Sequence, residues 1–403
     1  MKKIQFKQIL ALLTTAALTI AFASCGTSST PTEESAETTS TADQELSLLD
    51  TYVSNTVIST GSNTVIKNAE HVTYRAWFPV EAAGEYDYRF YFSNTVDSTW
   101  GDGSESYVGM SGDSYTIEKA TVYDGGTEFD ANVEPTVSAA VTFSGSATKE
   151  VAPVTLNVPE GHYLLWEWTV NGTNIPAIAM SNLTYAYADK GDGKGFLYTN
   201  EIPVPQLVGC DRKVKTRIVT LGDSVTQGCQ TSEFEYQFWA AQLLDQLGTE
   251  DYSLWNLGIG YARASDCARQ GNWLNRAVAG ADLITVAFGT NDIISGPYGG
   301  TGHATPEEIE ADVRKITRTC TDAGIHTILW NSPPFDMTPE LDGIRTAYNE
   351  TVEGIAKDNG ATYFDVASLL ADPSDASKTV YGQHPNDEGG TVIADALVKL
   401  IQE

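Results

Sequence analysis

From about residue 214 onward, short apolar runs alternate with amphipathic stretches, and only one kind of sheet accommodates that alternation. The runs Ile218–Leu221, Ser253–Leu257, Asp282–Phe288, Thr327–Trp330 and Thr362–Val366 read as buried strands. Helical stretches lie between them, such as Tyr236–Leu247, which places Tyr236, Trp239, Leu243 and Leu247 on one face. The helix after Thr305 is fully signed: Thr305 as N-cap, Pro306 as first residue, Glu308 closing a capping box and Gly324 as terminator. Strands alternating with helices imply right-handed crossovers and a parallel sheet. Five such strands, covered on both faces, predict a three-layer α/β/α sandwich over residues 206–403.

The chain before this region is patterned differently. Val72–Phe78, Tyr86–Phe92, Val137–Phe143 and Tyr163–Val170 alternate with period two and are separated by Gly, Asn, Asp and Ser clusters. A β-sandwich of jelly-roll type is expected for residues 46–205, with a connector beginning at Asp189–Gly195. Its aromatics Tyr86, Tyr88, Phe90, Trp100, Trp166 and Trp168 suit either a sandwich core or a sugar-stacking platform, and the core role is favoured. Residues Phe196–Pro205 are expected to run extended across both regions, because Pro203 and Pro205 favour that course.

The first 25 residues address location. Lys2, Lys3 and Lys7 precede an apolar stretch, Ile9–Phe22, and Phe22-Ala23-Ser24-Cys25 looks like a bacterial lipoprotein cleavage box with Cys25 as the lipidated residue. Residues 26–45 are rich in Ser, Thr, Glu and Ala and read as a disordered tether. The expectation is an exported protein held at a membrane only by its N-terminal lipid. With 24 Lys and Arg against 53 Asp and Glu, the net charge of −29 repels phosphate backbones, so nucleic acid is excluded as a partner.

Polar residues recur where an open α/β sheet binds ligands, beyond the carboxyl ends of its strands. The first strand runs into Gly222-Asp223-Ser224, with a helix expected to open around Tyr236. The second runs into Gly258-Ile259-Gly260-Tyr261, and the third into Gly289-Thr290-Asn291-Asp292. Tyr381-Gly382-Gln383-His384-Pro385-Asn386 stands before the last helix. Singly, each is an ordinary cap or turn. Gly222-Asp-Ser224-Val-Thr226 does not match the Gly-x-Ser-x-Gly elbow of α/β-hydrolases.

Together and in order, these four blocks resemble the SGNH or GDSL hydrolase family, over about Lys215 to Glu403, with the flavodoxin-like three-layer fold that implies. The region in front is similar in layout to two-domain carbohydrate esterases of that family. The resemblance implies Ser224 as nucleophile and His384 as general base. It implies an oxyanion hole from the Ser224 backbone N–H, a glycine N–H of the second block and the Asn291 amide. Two positions depart from the family pattern. Tyr261 stands where family members have glycine, which leaves Gly260 as the named donor. Tyr381 stands where they have the aspartate that orients the histidine, so either Asp372, Asp375 or Asp387 substitutes, or the site is a Ser–His dyad. His303, in the sequence after Gly296–Gly302, is the alternative base.

Cys229 and Cys267 each follow a block by a few residues, and a disulfide between them is expected if both loops line one cleft. Cys320 follows Ile309, Val313 and Ile316 at helical spacing and reads as a buried thiol. No histidine or cysteine spacing implies a metal, and no cofactor is implied. The expected activity is removal of a small acyl group, acetyl above all, from a carbohydrate. The alternatives are a lipase or lysophospholipase and a non-catalytic glycan-binding lipoprotein.

Overall fold

Each central strand of the C-terminal region sends alternate side chains to opposite faces, so both faces must be covered. The computed structural model describes residues 47–92, 95–98, 115–133, 135, 145–146, 153–179, 184–203, 205–269, 271–294 and 303–403. The lipoprotein signal and tether, the strand expected at Val137–Phe143, Trp100 and Gly296–Gly302 lie outside these residues. Strands β1 (Thr216–Gly222), β2 (Tyr252–Gly258), β3 (Leu283–Ala287), β4 (His326–Trp330) and β5 (Thr362–Phe364) form a parallel sheet in the order β2-β1-β3-β4-β5.

Ile218, Leu283 and Ile328 face helices α2 (Trp239–Leu247) and α9 (Asp387–Gln402), with Trp239 tilted onto Trp330 at 4.8 Å. Val219, Ile284 and Leu329 face the other way, towards α3 (Ala264–Arg269), α4 (Gly271–Ala279), α6 (Pro306–Asp322) and α7 (Pro339–Asn359). The capping box of Thr305 and Glu308 forms as the sequence predicts. The start of α2 does not. Tyr236 adopts a left-handed φ of 53°, and the helix begins at Trp239. A one-turn helix, α1 (Ser224–Gln227), follows the Gly-Asp-Ser turn directly.

The N-terminal region is built from two antiparallel sheets. One pairs Val53–Ser54, Leu207–Cys210, Gly84–Tyr91 and Val154–Val158. The other centres on the long strands Thr64–Pro79 and Tyr163–Ala179. Phe90 of the first sheet stacks on Trp166 of the second at 4.2 Å, and Tyr88, Phe90, Trp166 and Trp168 are buried, so these aromatics are core. Leu207–Cys210 pairs with Gly84–Tyr91, so the change-over between regions falls after Cys210, not at residue 206. Leu197–Tyr198 and Glu201–Ile202 also pair within the antiparallel region instead of bridging the two.

The two regions share their interior. One hydrophobic cluster runs from the aromatic core into the α2/α9 face of the parallel sheet. Polar ties complete the join: Arg276 of α4 meets Asp97 at 2.9 Å, both side chains almost wholly out of solvent, and Arg212 pairs with buried Glu81. Deleting one member of a buried pair leaves a charge without compensation. Asp97→Ala is therefore expected to cost about 3–5 kcal/mol of stability. Denaturant unfolding measures it, and a loss below about 1 kcal/mol would contradict the role given to this pair.

Candidate active site

β1 ends at Gly222 because nothing larger fits. A Cβ there would lie 2.1 Å from Thr226 Oγ1 and 2.8 Å from the Ala287 carbonyl oxygen, so α1 can press against the strand ends only above a glycine. Asp223 caps α1, its Oδ1 accepting the Val225 N–H at 2.9 Å, and Ser224 is the first helical residue. Burial, with a smaller contribution from the charge of Asp292, pushes the Asp223 carboxyl up to about 7. The cap reading of Gly-Asp-Ser is thus realised at Asp223, and Ser224 follows it as the first residue of the helix.

His384 is brought to Ser224 from the far end of the chain. Asn386 caps α9 by accepting the Gly389 N–H at 3.0 Å, and the turn before it carries His384 over the end of β1. Ser224 Oγ and His384 Nε2 lie 2.8 Å apart. The ring packs T-shaped with Phe335 at 5.2 Å between centroids. Burial lowers the imidazole pKa to about 4. Its Nδ1 is buried with no hydrogen-bond partner among the described residues.

None of the carboxylates expected to orient His384 reaches it. Asp372 accepts from Ser374 and Asp375 from Ser377, at an exposed hairpin. Asp387 accepts the Ser232 N–H at 2.8 Å. The Tyr381 backbone bonds Thr379 and Asn386, and its ring packs against the core. His303 is exposed and absent from the lining of the cleft that holds Ser224.

Asn291 is the second residue of α5 (Thr290–Ile294) and lies buried in the same cleft. Its Nδ2 donates to the Ala262 carbonyl at 3.0 Å, which spends one of the two amide hydrogens and fixes the direction of the other. Gly260 also lines the cleft, but its N–H is given to Gln227 Oε1 at 2.6 Å. It is not aimed at the position of an oxyanion, as the sequence reading has it. Tyr261 has a φ of 69°, the left-handed conformation in which a glycine is unstrained. That conformation gives a physical reason for glycine at this position in the family pattern, and here a half-exposed tyrosine takes it.

The cleft measures about 510 Å³. Asn63, Gln227, Gln230, Thr231, Glu233 and Gln383 supply polar walls, and Ile294, Phe335 and Tyr261 supply apolar ones. Asn63 and Ala179 come from the antiparallel region and are absent from the sequence-based expectation; Asn63 sits in a Gly-Ser-Asn run resembling a linker, and Ala179 ends the long strand Tyr163–Ala179. The Cys229–Cys267 disulfide does not form. Cys229 lines the cleft near Gln227, whereas Cys267 is buried inside α3, where burial first and the neighbouring Cys320 second raise its pKa. Cys320 is buried, as its spacing predicts. Among the described residues, no group of three or more His, Cys, Asp or Glu could hold a metal ion.

Residues 220–392 match the model of the GDSL-like Lipase/Acylhydrolase family. Among solved structures, an acetyl xylan esterase, AlAXEase, aligns at 20% identity over 46% of this chain and 99% of its own, with a TM-score of 0.39. A member of the lipolytic protein G-D-S-L family from Veillonella parvula DSM 2008 aligns at 20% identity over 46% and 98%, with a TM-score of 0.39. A mutant of Axe2, an acetyl-xylooligosaccharide esterase from Geobacillus Stearmophilus, aligns at 17% identity over 48% and 96%, with a TM-score of 0.38. No curated protein compared with the chain matches it.

Because Asp372 and Asp375 are engaged in local bonds on the exposed hairpin, Asp372→Asn and Asp375→Asn are expected to leave ester turnover within about twofold. A true triad carboxylate would cost up to about 10⁴-fold when replaced by its amide. Steady-state kinetics on the two variants distinguish these outcomes.

Proposed function

With residues 220–392 a GDSL-like lipase/acylhydrolase domain, we propose that the protein is a serine esterase that removes small acyl groups, acetyl foremost, from a carbohydrate. The observation that carries the proposal is the 2.8 Å contact between Ser224 Oγ and His384 Nε2 at the mouth of the cleft. Ser224 attacks the ester carbonyl while His384 takes its proton, then returns it to the leaving alcohol. The remaining hydrogen of the Asn291 amide and the Ser224 backbone N–H stabilise the tetrahedral oxyanion. Gly260 shapes the turn and is not assigned a donor role. No carboxylate takes part, so the machinery is a Ser–His dyad.

The substrate class is argued from the walls. Gln230, Thr231, Glu233 and Gln383 offer donors and acceptors suited to sugar hydroxyls, while Ile294 and Phe335 add apolar wall to the cleft that holds Ser224. A net charge of −29 disfavours anionic substrates. In this proposal the antiparallel region is a jelly-roll β-sandwich that completes the cleft. Export and anchoring through Cys25 place the enzyme outside a membrane, where acylated glycans are accessible.

A series of p-nitrophenyl esters, together with acetate release from an acetylated oligosaccharide, tests this reading. Acetyl esters are expected to be preferred. Ser224→Ala is expected to abolish turnover, and Asn291→Ala to lower kcat about 10²–10³-fold. Preference for long acyl chains would favour a lipase instead. Turnover that survives Ser224→Ala would overturn the nucleophile.

A further inference from the structure

Two primary amides hold the second-block turn from opposite sides. Asn63 Oδ1 accepts the Ala179 N–H at 2.9 Å, and its Nδ2 donates to the Gly260 carbonyl at 3.1 Å. Gln227 returns the pattern: its Oε1 accepts the Gly260 N–H at 2.6 Å, and its Nε2 donates to the Ala179 carbonyl at 2.9 Å. The four bonds close a ring that ties the end of strand Tyr163–Ala179 to the turn after β2. Each amide uses one donor and one acceptor, so the ring itself fixes which way each amide points. Both side chains belong to buried residues, where a bond lost is not replaced by bulk water.

Resting on the esterase reading, we infer that Asn63, contributed by the antiparallel region, is a positioning residue for the oxyanion hole. In a trans peptide the N–H points opposite to the C=O, so a fixed Gly260 carbonyl also fixes the direction of the Tyr261 N–H. The left-handed backbone at Tyr261 cannot hold this orientation cheaply by itself, because a non-glycine residue is strained there. The turn in turn holds Asn291, since the Ala262 carbonyl accepts from Asn291 Nδ2 at 3.0 Å. The line of action runs from Asn63 through Gly260 and Ala262 to Asn291, and the antiparallel region acts on the rate without touching the reacting atoms.

The test is kinetic, on the full chain. Asn63→Ala removes both bonds. Asn63→Asp keeps an acceptor for the Ala179 N–H but turns an oxygen towards the Gly260 carbonyl. Both variants are expected to lower kcat for an acetyl ester about 10²-fold, the order associated with ångström-scale misplacement, while KM stays within about threefold. Thr60→Val removes a hydroxyl that bonds Trp255 and the Gln206 carbonyl across the same junction, away from the turn, and is expected to leave kcat unchanged. Combined with Asn291→Ala, Asn63→Ala is expected to cost less than the product of the single effects, because both act on one constellation. Folded Asn63 variants that keep wild-type kcat, or a Thr60→Val loss equal to that of Asn63→Ala, would overturn the positioning role alone. A wild-type protein without Ser224-dependent turnover would overturn the esterase reading and this inference with it.

Discussion

The outer edge of β2 is the constraint on which the site depends. In the order β2-β1-β3-β4-β5 this strand has a neighbour on one side only, and its carboxyl end carries the turn that faces Ser224. An uncovered edge strand offers unpaired backbone groups to any passing chain. Here residues 55–63 run along it. The Thr60 N–H donates to the Asn256 carbonyl at 3.2 Å, Ser59 Oγ donates to the Gly258 carbonyl, and Asn63 reaches the Gly260 carbonyl. Thr60 and Ser59 cover the edge and Asn63, at the end of the same run, holds the turn and lines the cleft, so the antiparallel region is structurally part of the cleft.

A second consequence concerns charge. The groups behind Ser224 are buried carboxyls, Asp223 and Asp292, both pushed up to about 7 chiefly by burial. Each is used on the backbone: Asp223 accepts the Val225 N–H and Asp292 accepts the Ala264 N–H, both at 2.9 Å. They lock the first and second blocks in place and do not reach His384. The imidazole instead packs T-shaped with Phe335 in a setting that disfavours its charged form. A base of this kind stays neutral and ready at mildly acidic pH, but gains no carboxylate stabilisation for the imidazolium it must become.

Much of this was legible in the sequence, for physical reasons that differ by residue. The parallel sheet followed from apolar runs at regular spacing, and the α6 capping box from a three-residue signature that acts locally. Ser224, Asn291 and His384 stood out because their blocks lie at the same sheet edge in an order that resembles the GDSL pattern; singly each reads as an ordinary cap or turn. What escaped depends on tertiary contacts that no local pattern records. Asn55, Thr56, Ser59, Thr60, Ser62 and Asn63 look like a linker by composition, yet all are buried, and Ser59, Thr60 and Asn63 bond β2 or the turn after it. Tyr236 fits the apolar face of a helix, but its backbone is left-handed. Gly260 passes for an oxyanion donor until Gln227 is seen to occupy its N–H. Cys229 and Cys267 are close in motif order, but one faces the cleft and the other the core.

The central claim is a part-buried Ser–His dyad whose base has no carboxylate partner. The pH dependence of kcat/KM for a short-chain ester reports the ionisation of the free enzyme's essential base. Protonated His384 cannot accept the Ser224 proton, so activity falls as pH drops through the imidazole pKa. The account predicts a plateau through mildly acidic pH and an acid limb near 4, measured where the protein remains folded. An acid limb at about 6.5 or above, the range of an unshifted or carboxylate-supported histidine, would contradict it.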